Sequence, residues 1–106
     1  MRQITKDSIN AFLNDSEFCK QNMIVEVLSD CTNLKLHNNI IAVKKTKYNH
    51  TRFKNTTISI TNAGWFSNTT KERLNALPNV HIQQKDFKWY LNGLQWDGNL
   101  TDIKLN

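Results

Sequence analysis

Residues 62–98 read NAGWFSNTTKERLNALPNVHIQQKDFKWYLNGLQWDG, and the pattern within them decides the fold. Asn62-Ala63-Gly64 breaks whatever precedes it. Thr69 and Glu72 then stand three apart as a T-x-x-E capping box, which predicts a short helix carrying Leu74 and Leu77 and ended by Pro78. A helix of about two turns is held by packing and not by propensity. Asn92-Gly93 is a strong two-residue hairpin signal. A turn centred there pairs Leu91 with Leu94, Tyr90 with Gln95, and Trp89 with Trp96. A second tight turn at Lys85-Asp86 sets Ile82 opposite Trp89 and Val80 opposite Leu91. Together the two registers predict one apolar side made of Val80, Ile82, Phe87, Trp89, Leu91, Leu94 and Trp96.

Upstream, Thr5 or Asp7 can cap a first helix with Ile9, Phe12 and Leu13 on one face, fading near Asn14-Asp15. Ser16 to Lys20 is expected to add a short turn, and residues 23–29 read as a strand. A hairpin follows, with Asn38-Asn39 as its turn, Leu36 facing Ile41 and Leu34 facing Val43. In residues 56–61, Ile58 and Ile60 alternate with Thr57, Ser59 and Thr61, the pattern of a half-buried strand. Sequential hairpins without βαβ alternation predict a single α+β domain over residues 1–106. Its expected architecture is an antiparallel sheet of two meanders, with an N-terminal helix and a short helix between them.

The chain has 106 residues, so its core is modest, and three Trp and five Phe must supply much of the burial. Fifteen Asn and ten Thr, with frequent Lys and Ile, suggest an AT-rich genome; the five Asn-x-Ser/Thr sequons follow from that bias. No apolar run approaches the length of a membrane span. The segment MRQITKDSINAF carries polar and acidic residues where a signal peptide needs apolar ones, so a cytoplasmic location is expected. Cys19 and Cys31 do not make a disulfide framework, and His37, His50 and His81 stand at no zinc-ligand spacing from them. Reduced thiols, no metal and no cofactor are therefore expected. No Ser-His-Asp, Cys-His or paired-carboxylate signature is present either, which points away from catalysis.

Charge is concentrated in one place. The net charge is +5, and residues 44–54, KKTKYNHTRFK, contribute all of it through Lys44, Lys45, Lys47, Arg52 and Lys54 with no acid. Tyr48, His50 and Phe53 lie between these cations, a mixture suited to phosphate contact with base stacking. The simpler alternative is a solvated loop between two strands, and both readings stay open. Trp65 is expected in the core beside the short helix, whereas Phe66 is open between core and a partner surface. Ser67 to Thr70, with Lys71 and Arg73 behind them, could hold a phosphate at a helix start; ordinary capping is the alternative.

The run NAGWFSNTTKERLNALPNV followed by QKDFKWYLNGLQWDG resembles a family of small tailed-phage proteins of no assigned activity. The stretches ITKDSINAFLND and LKLHNNIIAV resemble the earlier part of the same proteins, and the longer basic tract departs from them. The resemblance implies a phage accessory protein acting in an infected bacterium and carries over no functional residue. Three expectations follow. The first is a non-enzymatic protein that binds nucleic acid or another polyanion through Lys44, Lys45, Lys47, Tyr48, Arg52, Phe53 and Lys54. The second is an anti-defence or host-takeover inhibitor that docks on a host protein or nucleoprotein complex, such as a CRISPR or other immune effector, using Phe66, Tyr90 and the basic tract. The third is a sponge for a nucleotide signal at the helix start near Thr69, Lys71 and Arg73.

Overall fold

In the computed structural model, which describes residues 2–48 and 54–103, eleven residues form the first helix, α1 (Gln3–Leu13). Its buried positions, Ile4, Thr5, Ser8, Ile9 and Phe12, recur at helical spacing on one face. The cap is Arg2, one turn earlier than Thr5 or Asp7, because Thr5 and Ser8 are small enough to face inward. The helix stops at Asn14 because Asp15 takes φ 54. Ser16 N–H then reaches Ala11 O at 2.9 Å and Asp15 N–H reaches Phe12 O at 3.4 Å, the paired bonds of a Schellman ending.

The strands come next: β1 (Phe18–Lys20), β2 (Met23–Val27), β3 (Cys31–Leu36), β4 (Asn39–Tyr48) and β5 (Lys54–Ile60). After helix α2 (Asn68–Asn75) follow β6 (Ile82–Lys85), β7 (Lys88–Leu91), β8 (Leu94–Gln95) and β9 (Thr101–Ile103). The fold is α+β with antiparallel pairing throughout. The two meanders form separate sheets, however. One has six strands in the order β1-β2-β3-β4-β5-β9, the other has three in the order β6-β7-β8. The chain returns to the first sheet at its end, so both outer strands there are only three residues long, which limits edge exposure.

Period-two burial explains the larger sheet. Met23, Val25, Leu34, Ala42, Ile58 and Ile60 are fully or almost fully buried and meet Phe12 of α1 and Leu74 of α2 in one core. Burying a residue such as Phe12 contributes about 1.5–3 kcal/mol.

Several sequence expectations shift. Residues 18–20 form a strand and not a helical turn. The β3–β4 turn falls on His37-Asn38, both at positive φ, and a bulge after Leu34 pairs it with Ala42 in place of Val43. The β6–β7 turn falls on Asp86-Phe87, which pairs Ile82 with Leu91 and Gln84 with Trp89. Phe87 is therefore exposed in the turn; Leu94 is exposed as well, while Val80, Ile82, Trp89, Leu91 and Trp96 are buried. The Asn92-Gly93 register is as expected, with Leu91 opposite Leu94 and Tyr90 opposite Gln95. Trp65 lies outside the core, 62% exposed, because the turn through Ala63 and Gly64 carries it out over the surface.

Candidate functional site

The basic tract straddles the end of the larger sheet. Strand β3 pairs with β4 only as far as Lys45, and β9 pairs with β5 only from Ile58 to Ile60. The rows Thr46–Thr56, Lys47–Asn55 and Tyr48–Lys54 belong to β4 and β5 alone, so among the described residues this part is a two-stranded ribbon. Lys45 is exposed at its base. Arg52 and Phe53 lie outside the described residues, as do the side chains of Lys47, Tyr48 and Lys54.

Two cations expected at the interface are taken inward. Lys44 is 9% exposed and sits on the core face opposite Ile58. Its ammonium donates to Leu13 O and pairs with Asp15 Oδ1 at 3.3 Å. It thus neutralises the carbonyl end of α1, where a cation is favoured. Arg73 is 1% exposed. Its Nη1 donates to Thr5 Oγ1 at 2.6 Å and to Glu72 Oε1 at 3.1 Å, tying α2 to α1. Burial pushes its guanidinium below the ordinary value, with Glu72 opposing. Thr5 Oγ1 itself donates to Glu72 Oε1 at 2.6 Å. That bond, opposed by burial and helped by the Arg2 amide and Arg73, holds the Glu72 carboxyl below its usual range.

Glu72 is therefore not half of a capping box. The cap of α2 is Ser67, whose Oγ accepts the Thr70 N–H at 3.1 Å. Asn75, exposed at the other end, also clamps α2 to β6: its amide donates to Ile82 O at 3.1 Å and accepts from Ile82 N at 2.6 Å.

Lys71 and Phe66 surround Trp89. Lys71 Nζ lies 5.8 Å from the ring centroid while donating to Gln84 Oε1 at 2.8 Å. Phe66 meets the same indole edge-on, centroids 5.0 Å apart, and keeps 57% of its surface exposed. Trp96 covers another side at 6.3 Å. Phe66 is therefore at once a cover for Trp89 and an exposed aromatic. None of these contacts joins Phe66 or Lys71 to the basic ribbon.

The sequence also missed a cavity of about 420 Å³ between the β3–β4 turn and the start of α2. Leu36 and Ile41 give it buried apolar wall, and exposed Trp65 stands among its lining residues. Asn62, 1% exposed, also lines it. The Asn62 Oδ1 accepts the Gly64 N–H at 2.8 Å, which fixes the amide so that Nδ2 is the remaining end, and Nδ2 has no partner. Gly98 packs on this amide; a Cβ there would lie 2.2 Å from Nδ2. Ser67, Thr69 and Thr70 supply the helix side. The legible signal was Asn62-Ala63-Gly64, read as a break when it is a turn packed against Gly98.

Elsewhere, Asn22 Oδ1, Arg73 Nε and Trp89 Nε1 are also buried without a partner, while other polar groups are tied up in structure. On the outer face of the larger sheet Glu26 binds Asn33 at 3.1 Å and Lys35 at 3.2 Å, which hold its carboxyl below the usual range. Burial raises the Cys31 thiol, helped by Asp30. Cys19 and Cys31 are free, two strands and several ladder rows apart, beyond disulfide reach. Among the described residues no three His, Cys, Asp or Glu side chains gather as a metal group, and no helix is long and apolar enough to cross a membrane.

These features define a small antiparallel α+β protein with a basic ribbon at one end of its sheet and a polar-ended cavity at a helix start. Residues 1–104 match the family described as Kyanoviridae Gp96 protein, and the chain belongs to that phage family. No curated protein and no solved structure matches it.

Proposed function

We propose that this chain is a non-enzymatic phage accessory protein that binds nucleic acid through the β4–β5 ribbon in the host cytoplasm. One observation carries the reading: among the described residues the ladder beyond Lys45 is a two-stranded antiparallel ribbon, and it overlaps the tract 44–54 whose sequence holds the excess positive charge. A two-stranded ribbon is of a width that the DNA major groove admits, and lysines along it suit phosphates on either side. Lys45, Lys47, Arg52 and Lys54 are the binding cations, with Tyr48 and Phe53 available to stack. Lys44 and Arg73 are not among them, being committed to Asp15 and to Thr5 with Glu72.

The test compares binding of a labelled DNA duplex, a single strand and an RNA. Replacing Lys45, Lys47, Arg52 and Lys54 together by Ala should weaken binding at least tenfold, whereas Lys44→Met should lower stability and leave affinity intact. Equal loss from both variants would overturn the assignment to the ribbon.

A second reading, an inhibitor that docks on a host protein such as an immune effector, is favoured by the Asp86-Phe87 turn. Phe87 is 97% exposed at φ 67, a costly conformation for a bulky residue, with Lys85 and Lys88 paired beside it. Retrieval of one host protein after nuclease digestion, lost in Phe87→Gly, would favour this reading over the first.

A further inference from the structure

We infer that the cavity at the start of α2 binds a small molecule that joins a flat ring to a phosphate or carboxylate. This site is separate from the ribbon and stands or falls without it. Its volume, about 420 Å³, lies within the range of small-molecule sites. Its helix side presents backbone N–H groups and the hydroxyls of Thr69 and Thr70. Ser67 Oγ takes the Thr70 N–H and Ser67 O takes the Lys71 N–H. The amide of Thr69, a lining residue, is thereby left at the positive end of the helix, where an anionic oxygen is favoured. Independently of the helix, Asn62 is 1% exposed, lines the same cavity and has an Nδ2 without a partner. Leaving a buried donor unmade costs about 1–3 kcal/mol, so a ligand acceptor there recovers a loss the fold otherwise carries.

The other half of the ligand follows from the remaining lining. Leu36 and Ile41 are apolar and buried, and Trp65 keeps 62% of its surface exposed among the lining residues. A large aromatic held outside the core beside a cavity is an unfilled stacking platform. Donors at one end and an indole with aliphatic wall elsewhere fit an acceptor-rich anion carrying a ring. Nucleoside monophosphates and aromatic carboxylates share that chemistry.

The experiment titrates the full chain with AMP, GMP, CMP and UMP, with the matching nucleosides, with nicotinate as a non-fluorescent aromatic carboxylate, and with inorganic phosphate alone. Trp fluorescence reports binding, since Trp89 and Trp96 are buried and Trp65 is the exposed indole. The expected result is saturable quenching by a monophosphate or by nicotinate with a dissociation constant below about 1 mM. Which of the two saturates identifies the anion. Binding should weaken at least tenfold for the matching nucleoside if the ligand is a phosphate, and in either case for Asn62→Asp, which turns the free donor into an acceptor. Trp65→Ala should weaken binding equally, measured by thermal shift because the reporter is removed. Trp65 is exposed, so that variant remains folded even if Asn62→Asp does not. Absence of saturation by every ring-bearing anion, or undiminished binding by Trp65→Ala, would overturn the inference. Binding of inorganic phosphate as tight as that of a monophosphate would overturn the ring.

Discussion

Replacing Arg73 by Met tests the link between the two helices. The guanidinium is 1% exposed and bonds Thr5 Oγ1 and Glu72 Oε1, and Thr5 bonds Glu72 in turn. Removing one partner of a buried ion pair costs about 3–5 kcal/mol. Here the Glu72 side chain keeps 28% exposure and Arg2 Nε remains 3.8 Å away, so the left-over carboxylate is partly solvated and partly paired. Met also preserves the apolar stem. The expected loss is therefore about 2–3 kcal/mol, a large part of the stability of a small domain. Glu72→Gln should cost about 1 kcal/mol, and the double variant should lose at least about 1 kcal/mol less than the two losses added.

The same cluster sets a pH dependence. The Glu72 carboxyl is held low in the folded chain, chiefly by the Thr5 hydroxyl, so its contribution is complete above the unfolded carboxyl value of about 4.3. That contribution is lost as pH falls through the folded value, and Glu72→Gln should flatten the fall. Urea unfolding followed by Trp fluorescence measures all of these quantities. An Arg73→Met midpoint indistinguishable from that of the parent chain, or strictly additive losses, would refute the buried network.

Three further outcomes follow from backbone geometry. Gly98→Ala should cost about 2–4 kcal/mol in urea unfolding, because Gly98 has φ 87 and its new Cβ would strike the Asn62 amide. Phe87→Gly should raise stability by about 1 kcal/mol, since the left-handed conformation costs Phe and not Gly and the ring is 97% exposed. Ser67→Ala should cost about 1 kcal/mol through the lost Thr70 bond, and Ser67→Asp should retain the cap.

The sequence was legible where a local rule acts alone. Ile58 and Ile60 alternate and are buried, and Asn92-Gly93 sets its own register. It misled where a distant element competes. Thr69 and Glu72 have the spacing of a capping box, but Thr5 from the other helix takes the Glu72 carboxylate, leaving Ser67 as the cap. Lys44 is one lysine among several in the sequence, yet in space it faces the carbonyl end of α1 and Asp15. The β6–β7 register slipped because its turn uses a Phe at positive φ, a choice that no propensity favours. The cavity was hidden for a related reason. Its walls come from a hairpin turn, an Asx turn and a helix start, three short segments separated in the chain.

The measurement that tests the central claim most directly is the salt dependence of binding to a DNA duplex, read by fluorescence anisotropy. With four cations of the basic tract on phosphates, log affinity against log salt should fall with a slope of about −3 to −4. That is roughly a hundredfold loss between about 50 and 200 mM salt, and the slope should shrink by about 1 for each of Lys45, Lys47, Arg52 and Lys54 replaced by Ala. A flat salt response, or a steep one that these four replacements leave unchanged, would contradict nucleic-acid binding by the ribbon.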